Sequence, residues 1–139
     1  MEFRMGKVGA FACLVVLAPF ASAPAEEISH YNGEQLYHRF CAACHGEGGE
    51  GDGPVAAFFK VTPPDLTTLA RRRGGQYPAD DVRRIIDGRD ISGAHGTRTM
   101  PVWGMELFYA DTGNPDKQQQ VETLIDRLVE YLRGIQEKK

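Results

Sequence analysis

The sequence predicts an all-α domain. No stretch of the 139 residues alternates apolar and polar side chains long enough to make a strand. By contrast, Val121, Leu124, Ile125, Leu128, Val129, Leu132 and Ile135 recur at the i, i+3, i+4 spacing of one helix face. A clear start signal also stands at Asn32, with Gln35 three residues on in the pattern of a capping box. Three to five helices joined by long loops are expected.

Residues 1–25 stand apart from this domain. Arg4 and Lys7 precede an apolar run from Val8 to Phe20, and Ala23-Pro24-Ala25 supplies a small-residue cleavage site. That is the layout of a secretory signal peptide, expected to be cut after Ala25 because a cut after Ala23 would put Pro24 first. The apolar run is short and holds Pro19, whereas a spanning helix needs about 20 residues, so an uncleaved anchor is the weaker reading. The expected mature domain is 26–139. The whole chain holds 16 basic and 19 acidic residues, and the leader takes Arg4, Lys7 and Glu2 with it. The remaining domain is acidic and has no basic tail, which argues against a nucleic-acid partner.

The first helix begins after Asn32, with Tyr31 placed to staple onto Leu36. Leu36, Tyr37, Phe40 and Cys44 share a face, and Gly46 ends the helix. A second helix is expected from Asp65 to Arg72, capped by Asp65 and stopped by Gly74-Gly75. A third starts near Pro78 with Asp80 and Asp81 in its first turn, turns Val82, Ile85 and Ile86 inward, and ends by Gly88. "GAHGTRTMPVWG" reads as a loop, and "MELFY" as one or two further turns. The last helix is expected to be capped by Asn114, with Pro115 in first position. Loops this long in a small domain need something to pack against.

The chemistry lies in "CAACHGEGGEGDGP", residues 41–54. The glycines match the dinucleotide fingerprint, but that loop must follow a strand, and Glu47, Glu50 and Asp52 would repel a pyrophosphate. Structural zinc takes four ligands, and no second cysteine pair exists in the mature domain. A thioredoxin-like pair sits at a helix N-terminus, whereas Cys41 and Cys44 come at the end of theirs. C-x-x-C-H is also the attachment signature of a c-type haem, and this reading suits every neighbour. Cys41 and Cys44 would form the two thioethers, and His45 would bind iron from one side. Candidates for the other side are Met100, Met105, His95, His30 and His38. Met100 is preferred because it lies in a distant loop and Pro101 stiffens the backbone after it.

The sequence resembles a bacterial class I c-type cytochrome across the whole mature domain. Gly33, Tyr37 and Cys41 match that family's first-helix spacing, and Leu128 and Tyr131 in "LVEYLR" match its last helix. "GDGP" resembles the loop whose proline carbonyl accepts from the proximal histidine, and "TMPVWG" resembles the axial-methionine loop. The resemblance implies the cytochrome c fold around one covalent haem c. It also implies that the terminal helices cross at Gly33, that Pro54 orients His45, and that Met100 is the sixth ligand. Arg98 and Trp103 flank the methionine loop and are candidates to contact a haem propionate.

The function so implied is that of an exported, periplasmic carrier of single electrons between redox protein partners, not an enzyme. Membrane association would come only through a membrane-bound partner or an uncleaved signal anchor. A fixed subunit of an oxidoreductase complex is the first alternative, and a haem-based ligand sensor the second. Arg71, Arg72, Arg73, Arg83, Arg84, Arg89 and Arg98 form either a solvated face or a docking patch.

Overall fold

The computed structural model describes residues 28–89, 100–110 and 116–137. Six α-helices occur among them: α1 Gly33–Phe40, α2 Ala42–His45, α3 Leu69–Arg72, α4 Ala79–Asp87, α5 Trp103–Ala110 and α6 Lys117–Gly134. They include no strand, so the architecture is all-α as expected. None of these helices is long and apolar enough to cross a membrane.

The first helix starts as its sequence dictates. The Asn32 side chain accepts from the Gln35 N–H at 2.9 Å, and the Gln35 side chain accepts from the Asn32 N–H at 2.9 Å. α1 and α2 are nearly one helix. Cys41 sits between them, its N–H donating to Tyr37 O at 2.8 Å and its carbonyl accepting from His45 N at 2.9 Å. Gly46, at φ 83°, ends α2.

α6 organises the rest and packs against α1, α4 and α5. Its stripe is buried: Val121, Leu124, Ile125, Leu128, Val129 and Leu132 are each at most 5 % exposed. Six such side chains contribute on the order of 10 kcal/mol of burial, so packing rather than intrinsic propensity holds this helix. α1 crosses α6 at Gly33. A Cβ there would overlap the Arg127 carbonyl oxygen and lie 2.8 Å from Tyr131 Cβ, so only glycine permits the approach. Arg127 then donates to Ser29 O at 2.7 Å and Tyr31 O at 2.8 Å, tying the segment before α1 onto α6.

Two boundaries and the exposure of one side chain differ from expectation. α3 begins at Leu69 rather than near Asp65, because the Asp65 carboxylate closes a local turn onto Thr67 N (2.8 Å) and Thr67 Oγ1 (2.6 Å) instead of capping a helix. α6 begins at Lys117 with Asp116 in the cap position; Asn114 and Pro115 lie outside the described residues. Ile85 is 48 % exposed, while Val82 and Ile86 on the same helix are buried. The reason for Ile85 is the cavity described next.

Candidate functional site

A cavity of about 220 Å³ opens at the centre of the fold, and almost every helix contributes a wall. α1, α2 and the residue between them supply Tyr37, Phe40, Cys41, Cys44 and His45, and α4 supplies Val82, Ile85 and Ile86. Leu128 and Leu132 of α6 form its floor, and the segment 59–69 adds Phe59, Pro63, Pro64, Leu66 and Leu69. Met100, Pro101 and Trp103 complete the lining. The Trp103 ring lies 5.5 Å from that of Phe40, joining the start of α5 to the end of α1. Ile85 is therefore inward-facing as expected, but it faces this cavity rather than the close-packed core.

Cys41 and Cys44 are free thiols, both half-buried. Burial, with Cys44 nearby, pushes the Cys41 thiol up to about 12. The two are not joined in a disulfide, and Cys41 is not the activated thiolate of a redox motif. Among the described residues no group of three His, Cys, Asp or Glu side chains is arranged to hold a bare metal ion.

His45 is oriented by a backbone carbonyl. Its Nδ1 lies 3.2 Å from Pro64 O, and because a carbonyl only accepts, Nδ1 carries the proton and Nε2 keeps its lone pair. Burial holds the imidazole below its ordinary pKa, outweighing the opposing Pro64 bond, so the neutral, metal-binding form is favoured. The partner is thus Pro64, not Pro54. Pro54 is exposed, in the turn where the Val55 N–H bonds to Ala43 O.

Two loops brace one another behind the ring. Gly51 N donates to His45 O at 2.8 Å, and Leu66 N to Gly49 O at 2.7 Å. Gly51 has φ 85° and backs directly onto the Pro63 carbonyl, so neither its conformation nor its space admits a side chain. Tyr37, fully buried, donates to Gly46 O at 2.7 Å and fixes the end of α2 from the core side; burial raises its pKa.

Of the expected site residues, Cys41, Cys44, His45, Met100 and Trp103 all line the one cavity. Met105 does not; it is 46 % exposed on α5. His30 and His38 are at the surface, His38 paired with Glu47 at 2.5 Å. Arg98 and His95 lie outside the described residues. Pro64 was missed, although its signal was present: the Pro63-Pro64 pair stiffens a backbone that must hold a carbonyl still.

The described arginines are largely consumed internally. Arg71 pairs with Glu137 at 3.2 Å, Arg73 and Arg84 both with Asp81 at 3.1 Å, Arg83 with Asp126 at 2.5 Å, and Arg89 with Asp87 at 2.5 Å. Arg72 donates to Asp65 O.

The donor set fits a covalent haem. Two thiols precede a neutral imidazole whose second nitrogen is occupied, a methionine lines the same space, and the aliphatic walls include an Ile85 left half exposed for a large apolar group to cover. The family model described as cytochrome c matches residues 31–136. No curated protein and no solved structure matches the chain.

Proposed function

The chain belongs to the cytochrome c family, and on that premise we propose that it is an exported monohaem cytochrome carrying single electrons between redox proteins of a respiratory or periplasmic chain. Bound haem c supplies a one-electron Fe(III)/Fe(II) couple. Cys41 and Cys44 would tether it through thioethers. His45 Nε2 would be one donor to its iron, with the ring held by the bond from Nδ1 to the Pro64 carbonyl. The Met100 sulfur would be the other. Leu128, Leu132, Ile85 and Ile86 exclude water from the cavity, which together with a thioether ligand favours the reduced state. With His45 and Met100 both holding the iron, no open coordination site would be left for catalysis.

The observation that carries this reading is the convergence of Cys41, Cys44, His45 and Met100 on one apolar cavity from segments far apart in the chain. Met100 is favoured over Met105 because only the former lines that space. The test is the optical spectrum of protein matured with a haem-attachment system. The long-wavelength methionine–iron band of the oxidised form is expected, lost in Met100→Ala and kept in Met105→Ala. The reverse pattern would reassign the ligand, and colourless protein would end the proposal.

Export rests on the leader at 1–25, and N-terminal sequencing of secreted protein is expected to begin at Glu26. Partner contacts should be small and short-lived, as electron-transfer interfaces usually are.

A further inference from the structure

We propose that Gln136, just beyond the end of α6, is a positioning residue for the His45 imidazole, acting through the backbone of residues 64–70. The inference rests on His45 and haem being the site described above, and it concerns a residue that no motif points to.

The Gln136 amide is bonded in three directions. Its Oε1 accepts from the Ala70 N–H at 2.9 Å, and its Nε2 donates to Leu66 O at 2.8 Å and to Leu132 O at 2.7 Å. The partners settle which end is which, since a backbone N–H only donates and a carbonyl only accepts. The bond to Leu132 O caps α6. The other two leave the helix and grip the segment that carries Pro64. Glu137 adds a backbone bond from its N–H to Thr67 O at 2.9 Å.

The Leu66 peptide groups are thus held from two directions, by Gln136 at the carbonyl and by Gly49 O at the N–H. Gly49 belongs to the loop that follows His45. One continuous set of bonds therefore runs from α6 through Gln136, Leu66 and Gly49 back to the turn beside the imidazole, and Pro64 lies two residues before the central peptide. Proline at both 63 and 64 transmits displacement rather than absorbing it. The His45–Pro64 bond is already at the long end of the normal range, at 3.2 Å. A few tenths of an ångström of outward movement would remove it. A purely structural role for Gln136 would change stability and leave the ring alone. A positioning role changes the ring.

The test uses the full holoprotein and two readouts: solvent exchange of the His45 Nδ1 proton by NMR, and the midpoint potential by redox titration. Gln136→Glu keeps shape and the acceptor toward Ala70 N but turns the donor toward Leu66 O into a repelling oxygen. The Nδ1 proton should exchange at least tenfold faster. The potential should rise, because a histidine without its carbonyl partner is a poorer donor to ferric iron. Gln136→Met, of similar length and lacking all three bonds, should move both readouts further in the same direction, and serves if the glutamate variant does not fold. Val121→Ala removes packing at the far end of α6 and should move neither. The proposal is overturned if the Gln136 variants keep wild-type exchange and potential, or if Val121→Ala shifts them as far. Wild-type protein lacking thioether-bound, histidine-ligated haem would instead overturn the reading of the site, and this inference with it.

Discussion

His45 and Met100 line the same cavity but are held in place by different means. On the histidine side the restraint is mostly backbone: Pro64 O on the ring, Gly51 N on His45 O, Leu66 N on Gly49 O. On the methionine side the described restraints are mostly side chains. Asp87 and Arg89 form a bidentate pair at 2.5 and 3.0 Å, and Arg89 reaches Gln118 of α6 at 2.7 Å. That network backs onto Gly104 in the first turn of α5, just after Met100. The Phe40–Trp103 contact is the other brace. Backbone bonds do not titrate and barely respond to salt, whereas ion pairs do both. The two walls of the cavity should therefore answer differently to mutation, pH and ionic strength.

The widest separation is expected between two glycine substitutions. Gly51→Ala forces a side chain into a left-handed conformation against the Pro63 carbonyl and should cost about 2–3 kcal/mol in denaturant melts. Gly104→Ala meets only the far ends of Asp87 and Arg89, which can shift, and it gains helix propensity. Its net effect should stay within about 1 kcal/mol. Equal costs would erase the distinction between a backbone-built and a side-chain-built wall.

Next comes the acid response. The Arg89 hydrogen bond, with its charge, holds the Asp87 carboxyl below its ordinary pKa. A depressed folded pKa adds stability that is present above the unfolded value of about 3.9 and lost as pH falls through the lower folded value. Asp87→Asn should therefore be less stable than wild type by about 0.5–1 kcal/mol at neutral pH, with the gap closing below about pH 4. With Met100 as the proposed ligand, the methionine–iron band should weaken over that window before the His45 Nδ1 proton begins to exchange. Simultaneous loss would show that the two sides are one unit.

The smallest effect is expected at Pro54. Pro54→Ala should change stability by less than about 0.5 kcal/mol and leave the potential unchanged, since the residue is exposed and His45 bonds elsewhere.

Much of this was legible in the sequence because it is local. The Asn32–Gln35 box, the α6 stripe and the C-x-x-C-H run are patterns over a few residues, and each stands where it was read. The crossing at Gly33 was legible through family spacing, and the structure gives its steric reason. What could not be read is which distant carbonyl meets which ring. Pro54 and Pro64 both sit in loops after His45, and only the folded path of the chain brings the second one near. The same limit hid Gln136, whose partners Leu66 and Ala70 lie 70 and 66 positions away. Asp65 misled for a different reason: its carboxylate serves a turn as readily as a helix start, and Thr67 decided between them. The arginines left two readings open, a solvated face or a docking patch, because sequence shows charges without their partners.

The crossing of α1 with α6 has a temporal consequence. Arg127 and Tyr31 meet across 96 positions of chain, so their contact closes a loop nearly as long as the domain itself. By chain-closure entropy such a loop costs about 2 kcal/mol more than a ten- to fifteen-residue one. During synthesis the pentapeptide at 41–45 emerges well before α6 exists to wall the cavity. A chain still lacking its last helix therefore leaves Cys41 and Cys44 facing an open site, and the arrival of Leu128 and Leu132 shuts it.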